Sequence, residues 1–222
     1  ANVGAQTAIS APGGGRGTVI SGTSSTIVSL SNSSATAPIA SPGGDTYTHD
    51  IGTSMATPHV AATAALMLSV QPALAPDDIT AILKQSARPF PPGTYCATHA
   101  GSCGAGMLDA GSAIAQAQGM PTVHVGASAS SVSTSADVTL TAVSGPGYGR
   151  SAGNPIWAQT AGKPLPLTTS APDANGNSTA TFTPTAAGVY SFSVALTNNA
   201  GISASDTVSV TVTGAPTSPG TD

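Results

Sequence analysis

The sequence predicts an α/β region followed by an all-β sandwich, and three observations predict it. An alanine-rich apolar run around Val60 and a second apolar stripe at Ile79, Ile82 and Leu83 have helical spacing. After Gly119-Met120-Pro121 the apolar period changes to two, with Gly, Pro and Asn turns between the segments. At 222 residues the chain is long enough for two modest domains that each bury a core. The expected organisation is 1–118 as the α/β portion, 119–122 as a linker, 123–213 as the sandwich and 214–222 as a flexible tail.

Charge is sparse. Charged residues make up 6% of the chain, there is no glutamate, and the net charge of −4 is spread over nine aspartates against five cations. No basic cluster exists, so neither nucleic acid nor an anionic membrane is an expected partner. The longest apolar run, Val60 to Val70, is far short of the ~20 residues that cross a bilayer. Low charge with abundant Ser, Thr, Ala and Gly predicts a secreted bacterial protein. The chain opens at Ala1 with no visible signal peptide, so processing or a longer parent product is expected. Cys96 and Cys103 flank a short glycine-containing loop. They read as a disulfide of an oxidising compartment or as two reduced thiols; with His99 they leave a zinc ligand set incomplete.

In chain order, Thr7 to Ala11 is a short strand stopped by Pro12 and the Gly13-Gly14-Gly15 run, and Thr18 to Ile20 and Ser25 to Leu30 are further β-branched strands. The glycines from Gly13 to Gly17 lack the following Lys-Ser/Thr of a phosphate cradle and read as a surface turn. Ser54 to Val70 is a helix with Pro58 in its first turn. Its faces (Ala56, Val60, Ala64, Met67 and Ala61, Ala62, Ala65, Leu68) are all small or apolar, which predicts burial all round. Pro76-Asp77-Asp78 opens a second helix, with carboxylates in the first turn where the dipole favours them, and Arg88-Pro89 stops it. A small helix runs from Ala110 to about Gln118. The Gly104-Ala105-Gly106 before it lacks the third glycine and preceding strand of a dinucleotide site.

The period-two segments are Val123, Val125; Val138, Leu140; Ile156; Thr179, Thr181; Tyr190 to Leu196; and Val208, Val210, Val212, giving about seven antiparallel strands. Trp157 fits the central-strand aromatic that plugs such a core.

Chemistry concentrates in Gly52-Thr53-Ser54-Met55-Ala56-Thr57-Pro58-His59-Val60. A permissive glycine leads into a serine at the start of a helix, where open N–H groups and the positive dipole end stabilise an oxyanion. The ordinary use of a serine there is as an N-cap. His59 lies five residues after Ser54, about 140° further round the helix, so its ring is expected to point away. His49 and Asp50 read as solvated loop residues or, alternatively, as a replacement base beside the serine. His99 and His124 read as structural or exposed.

The nine-residue string resembles the nucleophile motif of the subtilisin-like serine proteases. The helix after it, the second helix, and Gly104-Ala105-Gly106-Met107-Leu108-Asp109-Ala110 with its helix are similar to the C-terminal third of their three-layer, parallel-sheet catalytic domain. Ala11-Pro12-Gly13 resembles the strand end that precedes the nucleophile segment. The stretch between Pro12 and Gly52 is then a loop-and-hairpin excursion. The resemblance covers about residues 1–118, densest from Gly52 to Ala117. It implies a serine endopeptidase acting on protein or peptide substrates through an acyl-enzyme on Ser54, with Gly52, Thr53 and Met55 beside the site. It implies that Met55 is sulfur-exposed there and loses turnover on oxidation, that His59 is a buried structural residue, and that Cys96–Cys103 is a disulfide like that of secreted bacterial members. Calcium is implied without assignable ligands; the acidic ligand position of some relatives is Ala8. The family's Asp-Thr/Ser-Gly and Gly-Thr-His motifs do not occur in the chain. An upstream part of the same peptidase, carrying Asp, His, the oxyanion amide and most of the S1 pocket, is therefore the implied partner, and the 222 residues alone are expected to be inactive.

Thr181-Phe182-Thr183-Pro184, Gly188-Val189-Tyr190-Ser191-Phe192 and Asp206-Thr207-Val208-Ser209-Val210 resemble polycystic-kidney-disease-type (PKD-like) immunoglobulin-fold domains, without the Trp-Asp-Phe-Gly-Asp-Gly turn of the best-defined members. The other functional class is a non-catalytic fragment whose sandwich is a binding or spacer module.

Overall fold

The computed structural model describes residues 3–15, 26–99 and 101–214. These fall into two compact units, one made of residues 11–64 and the other of residues 3–10 with 65 onward. The expected strand at Thr18 to Ile20 lies outside the described residues.

In the first unit, β1 (Ile27–Asn32) and β2 (Asp45–Asp50) form an antiparallel hairpin, with Ile27 opposite Asp50 and Leu30 opposite Tyr47. The strand expected from Ser25 to Leu30 thus starts and ends two residues later. Its partner β2 has no apolar alternation to announce it; Thr46, Tyr47 and Thr48 supply β-branched and aromatic propensity instead. Asn32 pins the intervening loop, donating to Ile39 O at 2.8 Å and accepting from the N–H of Ser34 and Ile39 at 3.1 Å.

Helix α1 (Thr53–Val70) begins one residue earlier than the sequence predicts. Pro58 is therefore in its second turn rather than its first, and removes the N–H that would have met the Ser54 carbonyl. The expected burial all round is not observed. Thr63 and Met67 are buried, but Leu66 is 50%, Leu68 38% and Val70 40% exposed. An all-apolar helix needs a packing layer on every side, and the described residues cover one.

In the second unit, α2 (Pro76–Gln85) buries Ile82 and Leu83, and its Asp78 carboxylate accepts the Ala75 N–H at 3.0 Å. A one-turn helix, α3 (Tyr95–Thr98), capped by Thr94, lies in the cysteine loop and was not expected; Cys96 and Cys103 are disulfide-bonded. Residues 8–10 run parallel to 105–108: Ala105 N–H donates to Ala8 O at 3.0 Å, Ser10 N–H to Gly106 O at 3.0 Å and Leu108 N–H to Ser10 O at 2.8 Å. This ladder is the parallel element of the mixed α/β region. Helix α4 (Ala110–Ala117) starts from Asp109, whose Oδ1 accepts the Ser112 N–H at 2.9 Å.

The sandwich has eight described strands: β3 (Thr122–Ala127), β4 (Ser131–Ser133), β5 (Val138–Gly145), β6 (Ile156–Ala161), β7 (Thr168–Thr169), β8 (Asn177–Phe182), β9 (Gly188–Thr197) and β10 (Ser203–Thr213). One sheet has the order β4-β10-β9-β6 and the other β3-β5-β8-β7; β4 pairs parallel to β10 and the remaining pairs are antiparallel. Alternate residues of both sheets meet in a core of Val138, Leu140, Phe182, Tyr190, Phe192, Val210 and Val212. Phe182 and Phe192 are 4.6 Å apart between ring centres, and Tyr190 Oη donates to Ala186 O at 3.0 Å. Trp157 packs on this core from β6, an edge strand rather than a central one, because β9 and β10 occupy the middle of that sheet. Its indole N–H is buried with no partner among the described residues.

Candidate active site

The backbone entering α1 is held by glycines. Gly52 has φ +151°, and its N–H donates to Gly13 O at 2.7 Å. A Cβ on Gly13 would stand 2.6 Å from Gly52 O and 3.4 Å from Ala56 Cβ, so this approach requires glycine at position 13. Gly52 O accepts the N–H of Met55 at 3.1 Å and of Ala56 at 3.3 Å. Among the described residues the N–H groups of Thr53 and Ser54 have no acceptor, as expected of a helix start. Ser54 is solvent-exposed and Met55 half-buried. An exposed hydroxyl beside free N–H donors at the positive end of an 18-residue helix can carry out nucleophilic chemistry if a base reaches it.

Among the described residues no hydrogen bond joins a histidine to Ser54. His59 is half-buried, and its Nδ1 lies 2.8 Å from Met55 O. A carbonyl can only accept, so Nδ1 carries the proton and the ring is tied to its own helix. The His59 carbonyl in turn accepts from Thr63 Oγ1 at 2.8 Å. His49 and Asp50, read from sequence as loop neighbours, are consecutive residues of β2 and project to opposite faces. His49 Nδ1 meets Thr26 Oγ1 at 3.1 Å, and Asp50 Oδ2 accepts from Thr48 Oγ1 at 3.1 Å. His99 stacks on Tyr95 with ring centres 3.9 Å apart, and His124 meets Ser112 Oγ at 2.8 Å in the second unit. Among the described residues no group of three His, Cys, Asp or Glu side chains gathers to hold a metal, and Ala8 offers no side-chain ligand. In the sequence Gly13 reads as part of a strand end and surface turn; its contact with Gly52 is not legible there.

A model of the Subtilase family matches residues 2–120, more than half of the chain. The chain belongs to the Subtilase family. It is 40% identical over 104 residues to the extracellular protease of Xanthomonas campestris pv. campestris, covering 46% of this chain and 16% of that protein. Among solved structures it is similar to a protease of Pseudoalteromonas arctica, at 38% identity and a TM-score of 0.41, over 50% of this chain and 29% of that one. The PKD domain of human KIAA0319 matches at 19% identity and a TM-score of 0.30, over 46% of this chain and 89% of that one. The subtilase-family chain thus spans about a sixth of its Xanthomonas relative. No helix among its described residues is long and apolar enough to cross a membrane.

Proposed function

We propose that the protein is a secreted bacterial subtilisin-type serine endopeptidase in which Ser54 is the nucleophile. The single observation that carries this is the Gly13-Gly52-Ser54 arrangement: an exposed serine beside unpaired N–H donors at a helix start, in a Subtilase-family segment. In the proposed reaction Ser54 Oγ attacks the peptide carbonyl carbon while a histidine takes its proton. The Ser54 N–H stabilises the resulting oxyanion, with the Thr53 hydroxyl nearby. The C–N bond breaks as the histidine returns the proton to the leaving amine, and water then hydrolyses the acyl-enzyme by the same route. That histidine and its orienting aspartate come from the remainder of the peptidase.

Two features support a larger catalytic domain. The chain spans 16% of its extracellular relative, and α1 leaves Leu66, Leu68 and Val70 in solvent, a surface that further strands of a parallel sheet would cover. Protein and peptide substrates follow from the same reading. The test is Ser54→Ala in the complete protein. Casein hydrolysis should fall roughly a thousandfold or more; retained hydrolysis would place the nucleophile elsewhere.

A further inference from the structure

Helix α4 and strand β3 lie against each other through two matched side-chain pairs. Ser112 Oγ and His124 Nε2 are 2.8 Å apart, and one helical turn on, the Gln116 amide donates to the Thr122 hydroxyl. The match follows from spacing: positions 112 and 116 share a helix face, and 122 and 124 share a strand face. Asp109, the α4 cap, extends the row, with Oδ2 3.9 Å from His124 Nε2 and 3.4 Å from Arg88 Nε. Between the pairs, Gly119 at φ +82° turns the chain.

The rest of the sandwich closes on that turn. Asn198, 4% exposed, donates to Gly119 O at 3.3 Å and to Pro146 O at 3.0 Å, while its Oδ1 accepts from the N–H of Ala200 at 3.0 Å and Ile202 at 3.1 Å. Every hydrogen-bonding position of that buried amide is thereby occupied. Tyr148 N–H donates to Gln116 O at 2.7 Å. A Cβ on Gly147 would overlap the Gly119 backbone, one on Gly145 would overlap the Gln116 carboxamide, and one on Gly126 would stand 2.7 Å from the Pro89 ring. Three glycines therefore admit the close approach. Gln116 and Thr122 are 1% and 7% exposed, so a sandwich that pivoted away would strip buried polar groups of their partners. The approach also walls a cleft of about 680 Å³ between the cysteine loop and the outer face of β3 and β5.

We propose that the sandwich is a docked folding partner of the helical segment that precedes it, so that residues 119–121 form a fixed joint rather than a tether and α4 depends on the sandwich for its stability. This rests on the geometry of the joint and not on the proposed peptidase activity.

The test uses the 222-residue chain with two probes of unfolding in urea: fluorescence of Trp157, the one tryptophan, and amide hydrogen exchange of α2 and α4. In the wild-type chain the two transitions should coincide. A ten-residue Gly/Ser insertion after Gly119 should lower protection of the α4 amides at least tenfold while the Trp157 transition stays in place. The same insertion after the exposed Gly153 should leave both probes unchanged. If the first insertion prevents folding, Gly147→Val and Asn198→Ala provide the same readout at the joint. Separate transitions in the wild-type chain, or α4 protection within twofold of wild type after the joint is opened, would overturn the proposal.

Discussion

Gly13 and Gly52 meet backbone to backbone, the Gly13 carbonyl accepting the Gly52 N–H at 2.7 Å with no space for a side chain on Gly13. This contact fixes the peptide that leads into Ser54. Gly13→Ala should force the two segments apart, at a cost of about 1–3 kcal/mol by overpacking. In the complete protein the rate of fluorophosphonate labelling should drop at least tenfold, because the Ser54 N–H and hydroxyl would lose their placement. Wild-type labelling in that variant would show that the contact does not position the serine.

The exposed face of α1 yields a paired prediction. Leu66 is 50% exposed in this chain. Leu66→Ala should therefore change the stability of the isolated 222 residues by no more than about 0.5 kcal/mol. If the remainder of the peptidase covers this face, the same substitution in the complete protein should cost about 2–5 kcal/mol in urea denaturation. Equal, small effects in both would mean that α1 stays uncovered.

Asp109 caps α4 through Ser112 N–H at 2.9 Å and also approaches Arg88 at 3.4 Å. The cap should dominate, since an ion pair to the solvent-exposed Arg88 contributes little. Asp109→Ala is expected to destabilise by about 1 kcal/mol, and Asp109→Asn, which still caps, by a few tenths. Equal losses in the two variants, measured by chemical denaturation, would assign the effect to charge instead.

Asp173 supplies a pH dependence. Burial pushes its carboxyl up, but donation from the Asn177 side chain and from the N–H groups of Asn177 and Asn175 outweighs this and holds it below the ordinary value. A depressed carboxylate contributes stability that is fully present above its unfolded pKa of about 3.9 and is lost as the pH falls through the lower folded value. Asp173→Asn keeps an acceptor for both N–H groups but does not titrate. The stability difference between wild type and this variant should therefore shrink from pH 6 to pH 3. A difference that grows on acidification would mean the carboxyl is raised.

Much of this was legible in the sequence because it depends on neighbours in the chain. Proline and paired aspartates announced α2, and alternation announced β5, β9 and β10, whereas the Asp109 cap of α4 was not singled out. What escaped depends on distant partners. The polar strand β2 exists because β1 pairs with it, which moved His49 and Asp50 from a loop onto opposite faces of a ladder. Trp157 reads as a core plug in any strand, and its edge position is decided by the order of strands in the sheet. The burial pattern of α1 is set by which layers surround it, and composition carries no information on that. The Gly-Met-Pro composition at 119–121 likewise does not announce the approach of Gly147 and Asn198 to Gly119, because these partners lie far along the chain.

Ser54 is proposed as the nucleophile of a site completed by the rest of the peptidase. Fluorophosphonate labelling followed by mass-spectrometric location of the adduct distinguishes the alternatives, on the complete protein and on the 222-residue chain in parallel. A single adduct on Ser54 is expected in the complete protein and at most trace labelling in the isolated chain, where among the described residues no histidine is hydrogen-bonded to Ser54. An adduct on another serine, or equal labelling of Ser54 in both, would contradict it.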